Sequence, residues 1–131
     1  MAITVTEWST RLIAMADALS VPDGGFTVDP RDGSDVRHGY AVSVHPEHER
    51  VITGPVSAGD LIDYIAHAAE CLALPGRVLG GWRDPRSGHA FLDVSVVSDT
   101  LSDALMLARA SNQLAVFDFA SMRSMPVTVA A

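Results

Sequence analysis

The sequence predicts an α+β domain, a mostly antiparallel sheet of five or six strands with three helices packed largely on one face. Three observations carry this expectation. Apolar residues alternate with period two in short segments, clearest in Ala90–Val96 and Leu114–Phe119. Three other segments repeat apolar residues at helical spacing. Asp-Pro-x-x-Gly turns and brief polar connections join them, so consecutive elements pair in space in the order αββ(β)αββαβ(β).

The first helix is expected from about Val5 to Leu19. Thr4 and Glu7 have capping-box spacing, and Trp8, Leu12, Met15 and Leu19 form one stripe, widened by Ile13 and Ala16. Val21-Pro22-Asp23-Gly24-Gly25 ends it. Strands follow at Phe26–Val28 and Tyr40–Val44, around the turn Asp29-Pro30-Arg31-Asp32-Gly33. A polar loop, His45 to Arg50, precedes a short edge strand at Val51-Ile52-Thr53. Ser57 caps a second helix running to about Leu74, with Leu61, Ile65, Ala68 and Leu72 inward and Asp60, Asp63, His67 and Glu70 in water. Pro75-Gly76 stops it.

The stretch Gly80–Phe119 is the most strongly patterned. Gly80-Gly81-Trp82 enters a hairpin whose turn is Asp84-Pro85-Arg86-Ser87-Gly88. In the returning strand Leu92, Val94 and Val96 share one face, and Phe91, Asp93, Ser95 and Val97 the other, less buried one. A helix near Ser102–Ser111 has Thr100 or Ser102 as N-cap and a stripe of Leu101, Leu105 and Ala108, widened by Ala104 and Leu107. Asn112 is suited to the left-handed conformation that closes a helix. After Leu114–Phe119, Arg123–Val129 fits a last edge strand, where Pro126 is tolerated. Gly-aromatic, Asp-Pro-x-x-Gly, Val-Ser-Val and helix recur in both halves. Either a hairpin–helix unit is duplicated, or one turn chemistry is used twice.

At 131 residues the chain is one domain with room for a real core. Its apolar content of 48% excludes a disordered chain. No apolar run approaches a membrane span and no signal-peptide layout opens the sequence, so a cytoplasmic protein without membrane contact is expected. The single cysteine, Cys71, cannot form an internal disulfide. A net charge of −7 disfavours direct nucleic-acid binding. All nine basic residues are arginine; with abundant Ala, Val, Gly and Asp this composition suggests a high-GC, actinobacterial origin.

Four groups are candidate sites. Asp63, His67 and Cys71 lie four residues apart on one helix, the spacing of metal ligands or a Cys–His pair. His45, Glu47, His48 and Glu49 cluster in one loop, without the fixed spacing of a zinc site. Both groups read as solvated surface, so no metal and no cofactor is expected. Trp82, Arg83, Arg86 and His89 surround the hairpin turn; these residue types dominate protein-binding hot spots. With Arg77 they concentrate positive charge, which would suit an acidic partner. Asp93, Ser95, Asn112, Gln113 and Asp118 converge if their strands are neighbours, and Asp93 and Asp118 would then be a carboxylate pair for acid–base work.

The residues Gly80-Gly81-Trp82, Gly88, Phe91-Leu92-Asp93-Val94-Ser95, Ala104, Ala108, Asn112-Gln113 and Phe117-Asp118 resemble a pattern in small uncharacterised accessory proteins of actinobacterial phages and mobile elements. The resemblance covers Gly80–Phe119 and carries no known chemistry. It implies a mobile-element setting. The function expected is non-enzymatic binding of a host or phage protein in the host cytoplasm, as an anti-defence or host-takeover inhibitor. The alternatives are a virion or assembly component that self-associates into a homo-oligomer, and a small enzyme or toxin using Asp93 and Asp118.

Overall fold

The computed structural model describes residues 4–127. Its element order is α1 (Val5–Ala18), β1 (Gly25–Val28), β2 (Tyr40–Ser43), β3 (Arg50–Ile52), α2 (Ala58–His67), α3 (Ala69–Leu72), β4 (Arg77–Arg83), β5 (Ala90–Ser98), α4 (Leu101–Ala110), β6 (Ala115–Asp118) and β7 (Arg123–Pro126). The expected α+β class and element order are both present. All strands form one antiparallel sheet in the order β1-β4-β5-β2-β6-β7, and β3 also pairs with β5.

The nine-residue β5 is the spine. It pairs with β4 along one edge and with both β2 and β3 along the other. On that second edge Ser43 faces Ser95 while Arg50 faces Leu92, so seven positions of one row span three of the other. β2 and β3 are thus one interrupted row, and the excess residues loop out as a 3₁₀ turn at Pro46–His48. Tyr64 holds this loop, donating its hydroxyl to the His48 carbonyl at 2.5 Å.

Side-chain alternation sends Leu79, Leu92, Val94 and Val42 to one face, where every helix docks. The larger core joins Leu12, Met15 and Leu19 of the first helical segment to Leu61, Tyr64, Ala68 and Leu72, over Val28, Leu79, Leu92 and Val94. A smaller core sets Ala104 and Ala108 of α4 on Val42 and Val116. The caps fall among the expected residues: of Thr100 and Ser102 it is Thr100 that caps, and Thr4 with Glu7 makes one bond of the expected capping box. Thr4 Oγ1 accepts from the Glu7 amide, Thr100 Oγ1 from the Asp103 amide, and Ser57 with Asp60 forms a reciprocal capping box.

Three details differ from the sequence expectation. Ile13 and Ile62, placed at the flanks of their stripes, are each 55% exposed. Tyr64, given no role by the stripe, is the largest fully buried side chain; it lies three residues after Leu61 on the same helix face. The long second helix bends at Ala68 (φ −96°, ψ 12°), yet the bonds from the Ala68 amide to Tyr64 and from the Leu72 amide to Ala68 run through the bend. The last part of the expected edge strand, residues 128–129, lies outside the described residues.

The sequence echo resolves into turn chemistry. In both turns an aspartate amide donates outward across the hairpin, Asp29 to Ser34 at 2.9 Å and Asp84 to His89 at 2.8 Å. In both a glycine at positive φ, Gly33 at 73° and Gly88 at 75°, donates back to that aspartate. In both the aspartate side chain accepts from the arginine amide two residues on, at 2.9 Å. The ladders differ. β4 and β5 are a true hairpin, whereas β1 meets its own returning chain through a bridge from Val28 to Asp35 and pairs along its length with β4, and β2 pairs with β5.

Ala108 is fully buried where α4 meets Val42 and Val116. Ala108→Leu should overpack that contact and destabilise the domain by about 1–3 kcal/mol, read as a lower urea midpoint with unchanged slope.

Candidate binding surface

The face of the sheet away from the helices is built in rows. Trp82 of β4 faces Phe91 of β5, which faces Val51 of β3, so three apolar side chains lie side by side across three strands. The Trp82 and Phe91 rings are 6.2 Å apart, tilted by 31°. Trp82 is 43% exposed and Val51 45%. The indole N–H donates to Asp23 Oδ1 at 2.8 Å, which fixes the ring and places a carboxylate at its edge. Asp23 itself sits at φ 62°, in the left-handed region that aspartate and asparagine tolerate better than most residues.

One row further along, Gly80 faces Asp93. A Cβ on Gly80 would lie 2.6 Å from Asp93 Oδ1, so the glycine makes room for the carboxyl. Asp93 Oδ1 accepts from the Ser95 hydroxyl at 2.9 Å. Some edge of Asp93 meets solvent, but desolvation dominates. Burial pushes its carboxyl above the ordinary range, the Ser95 bond opposes this, and Glu49 adds to the rise. Behind it, burial and then the Asp93 charge push the Tyr64 phenol strongly upward.

The other sequence candidates are placed as follows. Asp118 does not join Asp93. β6 and β5 flank β2 from opposite sides, and Asp118 stands in the row of Tyr40 and Ser98, five positions along β5 and on the helix side. Its carboxylate closes its own turn, accepting from the Ala120 amide at 3.0 Å and the Ser121 hydroxyl at 2.9 Å. Asn112, at φ 55°, ends α4 as its residue type suggested. The Gln113 amide donates to the Ala108 carbonyl at 2.8 Å in the same helix terminus. The carboxylate-pair arrangement is therefore absent.

Arg83 serves the fold. It is half-buried, and its guanidinium donates to the Leu19, Gly88 and Gly54 carbonyls at 2.8, 2.7 and 3.2 Å. That clamp ties the end of α1, the hairpin turn and the segment after β3 together. Arg77 points to the opposite end of the strand, donating to His45 Nε2 at 3.1 Å and the Pro75 carbonyl at 2.8 Å. The expected concentration of positive charge at the hairpin therefore does not form; Arg86 is the exposed guanidinium there. His89 is half-buried beside the turn, its carbonyl accepting from Asp84.

The fold also brings together two groups that are separate in sequence. His45 and His48 of the looped-out segment meet His67 and Cys71 of the bent helix in one open cleft. The His45–His48 and His48–His67 ring centroids are each 6.2 Å apart. Cys71 is buried, and desolvation raises its thiol. Asp63 turns away to Arg50 at 2.8 Å. Among the described residues no three His, Cys, Asp or Glu side chains gather as a metal requires, and no helix is long and apolar enough to cross a membrane. No protein-family model, no curated protein and no solved structure matches this chain.

Two outcomes follow from this geometry. Arg83→Ala should cost about 2 kcal/mol or more of stability, because three carbonyls lose a charged donor, whereas Arg86→Ala should stay within about 0.5 kcal/mol; thermal melts of the two variants decide it. Asp93 holds its proton more tightly folded than unfolded. Its contribution to stability is present below the ordinary aspartate range near pH 4 and is lost as pH rises through the raised folded value. Urea titrations at about pH 4 and about pH 7 should show wild type losing ground against Asp93→Asn at the higher pH.

Proposed function

We propose that this chain is a non-enzymatic binding protein that holds a partner protein on the sheet face away from its helices, with Trp82 at the centre of the contact. The observation that carries the proposal is the row Trp82–Phe91–Val51. A tryptophan nearly half exposed, fixed by a hydrogen bond and backed by a second ring on a rigid sheet, has the character of an interface anchor. A fixed ring also loses little conformational freedom on association.

The separation of Asp93 from Asp118 removes the chemistry on which a small-enzyme reading rested. The resemblance of Gly80–Phe119 to phage and mobile-element accessory proteins supports a host protein as the partner, as for an anti-defence or host-takeover inhibitor. The same row could instead meet a second copy of the chain, as an assembly component would require.

The test uses the immobilised chain in lysate from an actinobacterial host, compared with Val51→Asp. Val51 lies at the margin of the row on a short strand, so the variant should melt close to wild type. A host protein retained by wild type and lost by Val51→Asp is the expected result. Equal retention by both would move the contact elsewhere. Dimers by light scattering that Val51→Asp dissolves would transfer the row to self-association.

A further inference from the structure

We infer that the partner presents a basic side chain, an arginine or lysine, to the face of the Trp82 ring; this rests on the binding surface just proposed. The charges around the row are negative. Asp23 touches the indole edge. Asp84 opens the turn that follows Trp82 and folds its carboxylate back onto the Arg86 amide; this bond outweighs desolvation and holds it below the usual range. Glu49 precedes Val51 by two residues and is exposed at the other end. Asp23 at the indole edge and Glu49 beyond Val51 therefore bracket the row of exposed Trp82 and half-buried Phe91, with Asp84 in the adjoining turn.

The arginines of β3 and β4 do not offset them. Arg83 is consumed by three carbonyls, Arg77 is drawn to His45, and Arg50 lies on the helix side against Asp63 and the Tyr64 ring. Arg86 is the exposed basic group in the turn that follows Trp82. A cation over an indole face is attracted by the ring quadrupole, and flanking carboxylates supply hydrogen-bond acceptors for its N–H groups. The indole N–H is already committed to Asp23, which leaves the ring faces as the recognition element. A chain of net charge −7 also draws a basic partner from a distance.

The test is a titration of the full chain with a short amidated peptide of alternating arginine and alanine, and with its glutamate counterpart. The readout is the indole N–H resonance of Trp82, told apart from that of Trp8 with Trp82→Phe. The basic peptide should shift this resonance saturably, and more weakly as salt is raised; the acidic peptide should leave it in place. The triple change Asp23→Asn, Glu49→Gln and Asp84→Asn keeps one acceptor oxygen at each position and the left-handed residue while removing the charge; at 84 the Ser87 hydroxyl turns to accept from the new amide. It should weaken binding about tenfold. Arg86→Ala should strengthen it. No saturable shift, an equal shift with the acidic peptide, or full binding by the triple variant overturns the inference. A host protein captured through Val51 alongside an unresponsive Trp82 would sink the basic partner and leave the binding surface standing.

Discussion

The β4–β5 ladder sets the position of everything else. Seven residue pairs from Arg77↔Val96 to Arg83↔Ala90 fix one register, and side-chain alternation then assigns each residue a face. Leu79, Leu92 and Val94 become the floor for the first two helical segments. By the same alternation Trp82 and Phe91 must emerge opposite the helices. A slip of one position would exchange the two sets, burying Asp93 in the core and exposing Leu92. The tight aspartate–glycine turn at one end of the hairpin and the pairing of β2 and β3 on the far edge of β5 guard against that slip.

Two glycines show how closely that register is packed. Gly81 lies under the Phe26 ring, where a Cβ would fall 2.4 Å from the ring carbon Cε2. Gly80 gives the Asp93 carboxyl its place on the other face. Adjacent glycines in one strand thus serve opposite faces of the sheet. One lets an aromatic from β1 cover the core side, and the other lets a carboxyl lie down between strands.

Much of this was legible in the sequence. Period two identified β5 and β6 and assigned the faces of β5 correctly, because alternation is a property of the backbone. Caps at Thr4 and Ser57 were legible because they are local hydrogen bonds between residues three apart, whereas Thr100 and Ser102 were equal candidates in sequence, and the structure shows Thr100 bonding the Asp103 amide. What remained hidden depends on distant partners. The commitment of Arg83 to Leu19 and Gly54 joins segments far apart in the chain, and nothing around Arg83 announces it. The separation of Asp93 from Asp118 follows from strand order, which places β2 between them. The role of Tyr64 was masked because its ring completes an apolar stripe while its hydroxyl reaches a loop that only tertiary structure brings near. The meeting of His45 and His48 with His67 was hidden for the same reason.

The helices stand on two separate cores, and this division has a consequence for how the molecule opens. The larger core gathers residues from the first strand, the first three helical segments and the central hairpin. The smaller one rests on β2, α4, β6 and β7, with alanines at its centre. Among the described residues four buried side chains make up the second against twelve in the first, and its outer strand β7 is four residues long and largely exposed. The smaller core, β2 with the carboxyl-terminal elements, is therefore expected to be the weaker cooperative unit. Local opening should start there, with slow amide exchange surviving longest in the central hairpin. The strands that carry Trp82 and Phe91 belong to the larger core, so the row they form would keep its shape through such openings.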